Sequence, residues 1–291
     1  MSIKKKVAIA FQGEHGAFSE IAVHELVGKR ATTMPQRSTE HVIVAVAKKA
    51  CTHGMVMLEN STEGTLHYAY DLITRERLVI AGEIYLRIRH ELVGIPTKIK
   101  GEKRLREIKR AYSHPQALAE CADFFRMHPW IETVSAYDTA GMARMVAERK
   151  LAEESAVAST RAAKLYGLAV LADHIESKRE NYVRFGLVTA APARLPRLQG
   201  NKVSLIVTLA HVPGSLSRFL VQCAGRGMNL TKVESRPLLA QHNEYLFYVD
   251  FEHRFTPEVL RRTLDALSEE ATSFTILGAY EGGDVHHLID T

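Results

Sequence analysis

Four short segments carry residues whose types and spacing suit chemistry on an anion. Glu59-Asn60-Ser61-Thr62-Glu63-Gly64 follows a buried apolar run and precedes a helical pattern. Free N–H groups at a helix start, beside Asn and Ser side chains, suit a carboxylate or a phosphate. The same residues also serve as plain caps, and the sequence leaves both readings open. Ser113-His114-Pro115-Gln116 places a hydroxyl, an imidazole and an amide at a second strand-to-helix turn. A lone histidine there more often caps the helix or faces solvent than catalyses. Asn181-Tyr182-Val183-Arg184-Phe185 is strand-like, with an arginine between two apolar residues. Arginine is the usual bidentate partner of a carboxylate, although an isolated one is more often a surface strand residue. The loop Gly13-Glu14-His15-Gly16 lacks the G-x-G-x-x-G spacing of a dinucleotide site. It reads as a tight turn that aims a helix N-terminus at a ligand. No Ser-His-Asp order or nucleophile elbow stands out.

Other classes are disfavoured. The three cysteines, Cys51, Cys121 and Cys223, are too few and too far apart for a disulfide framework or a zinc site. They read as small buried hydrophobes in a reducing cytoplasm. Among fourteen histidines no pair is spaced i, i+3 or i, i+4, so no metal site is expected. The longest apolar run, residues 42–47, is far too short to span a membrane. Residues 7–11 read as a first buried strand rather than the core of a signal peptide. The formal net charge of +5 is uneven: +8 over residues 1–200 and −3 over 201–291. A basic first part favours an anionic ligand. The dense cluster Lys98, Lys100, Lys103, Arg104, Arg106, Lys109 and Arg110 lacks interleaved aromatics or a recognition motif. It reads as solvated surface rather than a nucleic-acid site.

The elements that must position these segments repeat one pattern through residue 189: an apolar run, a turn with Gly or a capping residue, then an amphipathic helix. Phe18, Ala22 and Leu26 form one such helical face, ended by Gly28. Pro115 opens another, burying Leu118, Cys121, Ala122 and Phe125. Asp138 and Ser159 are placed as further N-caps. Such units argue for an α/β domain with mostly parallel strands, whose ligands sit where strands end and helices begin. Residues 190–201, with two prolines and a glycine, read as a linker. Residues 202–291 then follow a βαββαβ order, expected to fold as a ferredoxin-like sandwich.

Taken in order, these segments resemble the prephenate dehydratase family with a C-terminal ACT regulatory domain. Residues 13–19 look like the family's opening glycine motif, with Glu14 and Ala17 in place of Pro and Thr. Residues 59–64 match E-N-S-x-x-G, residues 113–118 match S-H-P-Q-A-L, and Asp138-Thr139-Ala140 is similar to the S/D-T-A turn. Residues 181–185 fall on N-x-T-R-F. In the second part, Pro213-Gly214-Ser215-Leu216 resembles the P-G-A-L ligand turn, and residues 229–237 match N-L-T-K-I-E-S-R-P almost throughout.

The resemblance implies a two-lobed, periplasmic-binding-protein-like catalytic domain over residues 1–189, a linker over 190–201 and an ACT domain over 202–291. It implies conversion of prephenate to phenylpyruvate with loss of carbon dioxide and water, with arogenate as a possible second substrate and no cofactor. Arg184, Asn60 and Ser61 are the implied catalytic residues. Ser19, Gly64, Ser113, His114, Gln116, Thr139, Val183 and Phe185 are the implied substrate contacts. Gly214, Ser215, Leu216, Glu234, Ser235, Arg236 and Pro237 are the implied phenylalanine site, in a cytoplasmic homodimer or homotetramer. One departure matters. The family's threonine, its general acid, is here Val183, which has no hydroxyl to donate a proton. The nearest hydroxyls in sequence are Tyr182 and Ser177. Two further readings follow from the departure: a decarboxylase that does not aromatise, and a weakly active phenylalanine sensor with a different, hydrolytic activity.

Overall fold

The computed structural model describes residues 8–191, 198–237, 245–283 and 289–290. Contacts divide the chain into two units: Met1–Tyr70, Ile84–Phe185 and Asp284–Thr291 form the first, Asp71–Glu83 and Gly186–Gly283 the second. The segment Asp71–Glu83 thus groups with the second unit, far from the expected linker. Residues 192–197 of that linker lie outside the described residues.

The chain begins with β1 (Ala8–Gln12), α1 (Phe18–Val27), β2 (Thr32–Gln36), α2 (Thr39–Ala47), β3 (His53–Asn60), β4 (Gly64–Thr65), α3 (His67–Arg75) and β5 (Leu78–Arg87). Residues 88–90 carry the chain to a second sheet. There follow β6 (Glu91–Gly94), α4 (Glu102–Leu105), β7 (Arg110–Ser113), α5 (Pro115–Glu120), α6 (Ala122–Met127), β8 (Glu132–Ser135), α7 (Ala140–Arg149), β9 (Glu154–Ala158), α8 (Thr160–Tyr166) and β10 (Ala169–Ala172). Residues 173–181 return it to the first sheet as β11 (Tyr182–Ala190). The two sheets have the orders β16-β5-β11-β3-β1-β2, where β16 is Ile289–Asp290, and β10-β6-β9-β7-β8.

In the first sheet, β1 runs parallel to β2 and β3. In the second, β7 runs parallel to β8 and β9, while β6 is antiparallel to β9 and β10. The reversal follows from the crossover, because β6 enters this sheet directly from the other one and no helix turns it round. The two crossing segments are bonded to each other: Ile88 N–H donates to the Asn181 carbonyl at 2.8 Å, and Ile175 N–H to the His90 carbonyl at 2.9 Å. One helix was expected to run on from Pro115 past Cys121. The chain instead breaks at Cys121 (φ −103°, ψ 16°) into α5 and α6.

The second unit carries β12 (Lys202–Leu209), α9 (Ser215–Gly225), β13 (Asn229–Pro237), β14 (Tyr245–Glu252), α10 (Pro257–Ser268) and β15 (Ser273–Tyr280). Its sheet order is β13-β14-β12-β15, with β12 antiparallel to β14 and β15 and β13 antiparallel to β14. This is the ferredoxin-like arrangement. Val203, Leu205 and Val207 alternate along β12 and pack with Phe219, Cys223, Leu260 and Leu264 of the helices. Among the described residues no helix is long and apolar enough to cross a membrane.

Candidate active site

Within the first unit, strand ends and helix starts surround a cavity of about 310 Å³, at the lower end of the usual range for small-molecule sites. Of the implied residues, Ser19, Asn60, His114, Gln116, Thr139, Val183 and Phe185 line it, joined by Gln12, Glu63, Tyr68, His90, Glu120, Tyr137 and Asp138. Six separated stretches of chain thus converge on one space.

Alternation along β11 decides which of its residues take part. Val183 and Phe185 face the cavity, so Arg184 between them faces the other side of the sheet. There it is buried and donates from Nη1 to Glu59 Oε1 at 2.6 Å. Arg184, expected to bind a substrate carboxylate, thus does not line the cavity, and its charge meets a carboxylate of the protein itself. Among the described residues, no Lys or Arg lines the cavity.

Asn60 and Ser61 were expected at a helix N-terminus. They stand instead at a hairpin turn, where Asn60 pairs with Gly64 across β3 and β4, and α3 begins only at His67. The Asn60 Oδ1 accepts from the Thr62 N–H and the Thr62 hydroxyl, both at 2.7 Å, the local bond that makes Asn a turn residue. Ser61 does not line the cavity. It ties the turn to β11 by donating its N–H to the Tyr182 carbonyl at 2.9 Å and accepting the Tyr182 N–H at 3.0 Å. Gly64 is exposed and Ser113 fully buried, its hydroxyl donating to the Val157 carbonyl at 2.7 Å; neither borders the cavity.

His114 caps a helix and also borders the cavity. Its Nδ1 accepts the Gln116 N–H at 3.3 Å, capping α5, while the exposed ring lines the cavity. Thr139, rather than Asp138, occupies the N-cap of α7, but Asp138 Oδ2 makes the capping bond, accepting from Gly141 N–H at 2.8 Å and Glu14 N–H at 3.2 Å. Burial pushes the Asp138 carboxyl up, and the hydrogen bonds from Gly141, Thr139 and Glu14 only partly offset it. The opening glycine loop is tight for a reason: a Cβ at Gly16 (φ +93°) would stand 2.9 Å from the Ala162 backbone. The loop leads into α1 with no side-chain cap, so this helix N-terminus opens beside Phe18 and Ser19 of the cavity wall.

The largest omission from the sequence reading is Glu120. Its Oε2 accepts from His90 Nε2 at 2.8 Å and Asn181 Nδ2 at 2.7 Å. Its Oε1 accepts from Gln116 Nε2 at 3.1 Å and Asn60 Nδ2 at 3.2 Å, with the Thr62 hydroxyl also at 3.2 Å. These donors come from both lobes and from both crossing segments. Burial alone would raise the Glu120 carboxyl, but the bonds from His90, Asn60 and Asn181 and the charge of His90 bring it below its ordinary value. A helical reading of 116 and 120 as one face was the available signal. His90 gave none, since only the fold shows that residues 88–90 cross between sheets. Tyr182 and Ser177 do not line the cavity; its hydroxyls are those of Ser19, Tyr68, Tyr137 and Thr139.

A family model for prephenate dehydratase matches residues 9–193. The chain belongs to the prephenate dehydratase family. It is 36% identical over 289 residues to arogenate dehydratase/prephenate dehydratase 2, chloroplastic, of Arabidopsis thaliana, covering 94% of this chain and 73% of that protein. The fold is similar to a prephenate dehydratase from Arthrobacter aurescens solved in complex with L-Phe, with a TM-score of 0.80, 30% identity and coverage of 94% and 90% of the two chains. It is also similar to GqqA, described as a novel type of quorum quenching acylase, with a TM-score of 0.82, 33% identity and coverage of 96% and 100%.

The second unit holds its own cavity of about 330 Å³, lined by residues 209–213, Ser215, Leu216, Tyr245 and Phe247. Ser215 and Leu216 were expected at a ligand site; Gly214 caps α9 between them and the loop in a left-handed conformation (φ +85°). Glu234, Ser235, Arg236 and Pro237 lie on β13 and do not border this cavity. Glu234 pairs with Lys232 at 3.2 Å. Arg236 donates to Asp71 at 2.7 and 2.8 Å and to the Tyr248 hydroxyl at 3.3 Å. Among the described residues, no cluster of His, Cys, Asp or Glu is arranged to hold a metal ion.

Proposed function

We propose that this chain is a prephenate dehydratase that converts prephenate to phenylpyruvate, carbon dioxide and water, and that phenylalanine controls it through the second unit read as an ACT domain. The convergence of Asn60, His114, Gln116, Thr139, Val183 and Phe185 on one small cavity carries the first part. Prephenate carries two carboxylates. With no Lys or Arg among the lining residues, main-chain N–H groups at the start of α1, a ten-residue helix, are the natural anion contacts, since the start of α7 already holds the Asp138 carboxylate. Asn60, Gln116 and Thr139 add polar contacts, and Phe18 and Phe185 flank the ring. Aromatisation drives the reaction, so positioning and one proton transfer are what the protein must supply.

For control, a helix N-terminus at Gly214-Ser215 suits the carboxylate of an amino acid, and Leu216, Tyr245 and Phe247 suit an apolar ring. In the family reading this site is completed at an interface between two such domains, which makes the protein a homodimer or homotetramer. The test is incubation with prephenate and with arogenate. Product ultraviolet spectrum and mass are followed, with and without phenylalanine. Phenylpyruvate or phenylalanine supports a dehydratase; a non-aromatic keto acid points to the decarboxylase alone.

The apolar side chain at Val183 and the similarity to an acylase favour a second reading, hydrolysis of an acyl amide in the same cavity. Release of a free acid from an acyl amide by protein that leaves prephenate unchanged decides for that reading.

A further inference from the structure

Three primary amides line the first-unit cavity: Gln12, Asn60 and Gln116. Two of them already donate to the protein. Asn60 Nδ2 and Gln116 Nε2 both bond Glu120 Oε1, at 3.2 and 3.1 Å. They stand beside a carboxylate that repels a second anion. Gln12 is bonded by its other end. Its Oε1 accepts the Thr39 hydroxyl at 2.7 Å. Thr39, the first residue of α2, is 3% exposed and stands behind the cavity wall rather than in it. Its hydrogen goes to Gln12, so it accepts from Tyr68, whose hydroxyl lies 3.3 Å away. Two hydroxyls thus point the same way and end on the Gln12 oxygen, which polarises the amide. The amide is turned with Nε2 as its free end, at the carboxyl end of β1.

The same residue is tied to the start of α1, because the Ser19 hydroxyl donates to the Gln12 carbonyl. In that first turn Ala17 N–H donates to the Glu14 carbonyl, and Glu20 and Ile21 N–H donate to the Ala17 carbonyl, each at 3.0 Å. The Phe18 and Ser19 N–H groups between them take no acceptor among the described residues. Gln12 therefore adds a side-chain donor next to open main-chain ones.

We infer that Gln12 holds the side-chain carboxylate of the substrate, the one that stays in the product, and that Thr39 is its positioning residue. The inference rests on the dehydratase reading above. The retained carboxylate has the same charge before and after the reaction, so a contact to it stabilises ground state and transition state alike. The departing carboxylate gives its electron pair to the ring as carbon dioxide leaves. A donor spent on that group would hold the ground state more tightly than the transition state. The apolar lining of Met55, Met57, Ile88 and Phe185 suits the departing group instead. Loss of the Gln12 contact should therefore appear in KM and not in kcat.

The experiment measures kcat and KM for prephenate in the full-length wild type, Gln12→Met, Gln12→Glu, Thr39→Val and Thr39→Ser. It also measures Ki for phenylpyruvate, which keeps only the side-chain carboxylate. Gln12→Met removes the N–H at similar length, and Gln12→Glu puts a negative oxygen in its place. KM and Ki should rise in that order, by about tenfold or more in Gln12→Glu, with kcat within about threefold. Thr39→Val keeps the shape and loses the hydroxyl, so both constants should rise about threefold or more. Thr39→Ser keeps the hydroxyl and should stay within about twofold of wild type. Rescue by serine and an effect confined to KM and Ki are not what a merely structural role produces. Gln12→Met and the two Thr39 variants decide the matter if Gln12→Glu does not fold. A wild type that makes phenylpyruvate while Gln12→Glu keeps its KM and Ki overturns the inference only. So does a loss in kcat with Ki unchanged, or a Thr39→Ser as impaired as Thr39→Val. A wild type that makes no phenylpyruvate from prephenate overturns the prephenate dehydratase reading, and the inference with it.

Discussion

Arg184→Lys separates two roles that the sequence could not distinguish. An arginine that grips a substrate carboxylate loses at least about tenfold in kcat/KM on this change, because lysine lacks the planar two-pronged contact; that is about 1.4 kcal/mol of transition-state binding. The structure gives Arg184 a different partner. It is 1% exposed, and its Nη1 lies 2.6 Å from Glu59, whose side chain is 24% exposed. Lysine keeps the charge but has a single nitrogen on a shorter reach. Complete loss of a buried partner is worth about 3–5 kcal/mol. Retention of the charge and partial solvation of Glu59 bring the expected loss to about 2 kcal/mol, within the range for a hydrogen bond to a charged group. At about 2–4 °C per kcal/mol for a unit of this size, Tm should fall by about 4–8 °C. The assay pairs a thermal melt with kinetics at a temperature where both proteins are folded, and kcat/KM should stay within about threefold. An unchanged Tm with a tenfold rise in KM would refute this reasoning and return Arg184 to the substrate.

Val183→Thr adds a hydroxyl to a buried position on the cavity wall. The added hydroxyl supplies a proton donor at the position where the family carries one, so dehydratase turnover should rise several-fold or more; an unchanged or lower rate would mean that another group already supplies the proton. Gly214→Val puts a β-branched residue at φ +85° and should cost about 1–2 kcal/mol in strain; calorimetry should show phenylalanine binding lost in a protein that still folds, and inhibition lost with it. The Glu120 carboxyl, held below the ordinary carboxylate range by its bonds from His90, Asn60 and Asn181 against the effect of burial, stabilises the folded state above the ordinary glutamate range, and that contribution is lost as pH falls through its lowered folded value. Stability followed by circular dichroism should therefore fall as pH drops below the ordinary glutamate range, and Glu120→Gln should flatten that acid limb; an identical limb in both proteins counts against an ionised Glu120.

What could be read in the sequence, and what could not, follows from the range of the interactions. Capping, turn and period signals are local, so the strand–helix units and the βαββαβ order were legible in Pro115, Ser159 and Pro257, each of which opens or caps the expected helix. Direction within a strand was legible in principle, since period two already places Val183 and Phe185 on one face and Arg184 on the other. What the period could not say is which face meets the cavity, because β11 is buried on both sides. Asn60 misled for a related reason: Asn suits a hairpin turn as well as a helix start, and only the pairing of β3 with β4 chooses between them.

Glu120 and His90 lie at the other extreme. They are 30 positions apart and belong to different supersecondary units, one on a helix and one on a segment that crosses between sheets. Their pairing exists because the chain leaves the first sheet at 88–90 and returns at 173–181, bringing Asn181 to the same carboxylate. The hydroxyl missing at Val183 was visible as a gap in a motif. Chemistry lost at one position of a converging site can be resupplied from any segment that reaches the same cavity, and here six separated stretches reach it, the crossing segment 88–90 among them. Those stretches, rather than the neighbours of position 183 in sequence alone, are therefore where a substitute proton donor should be sought.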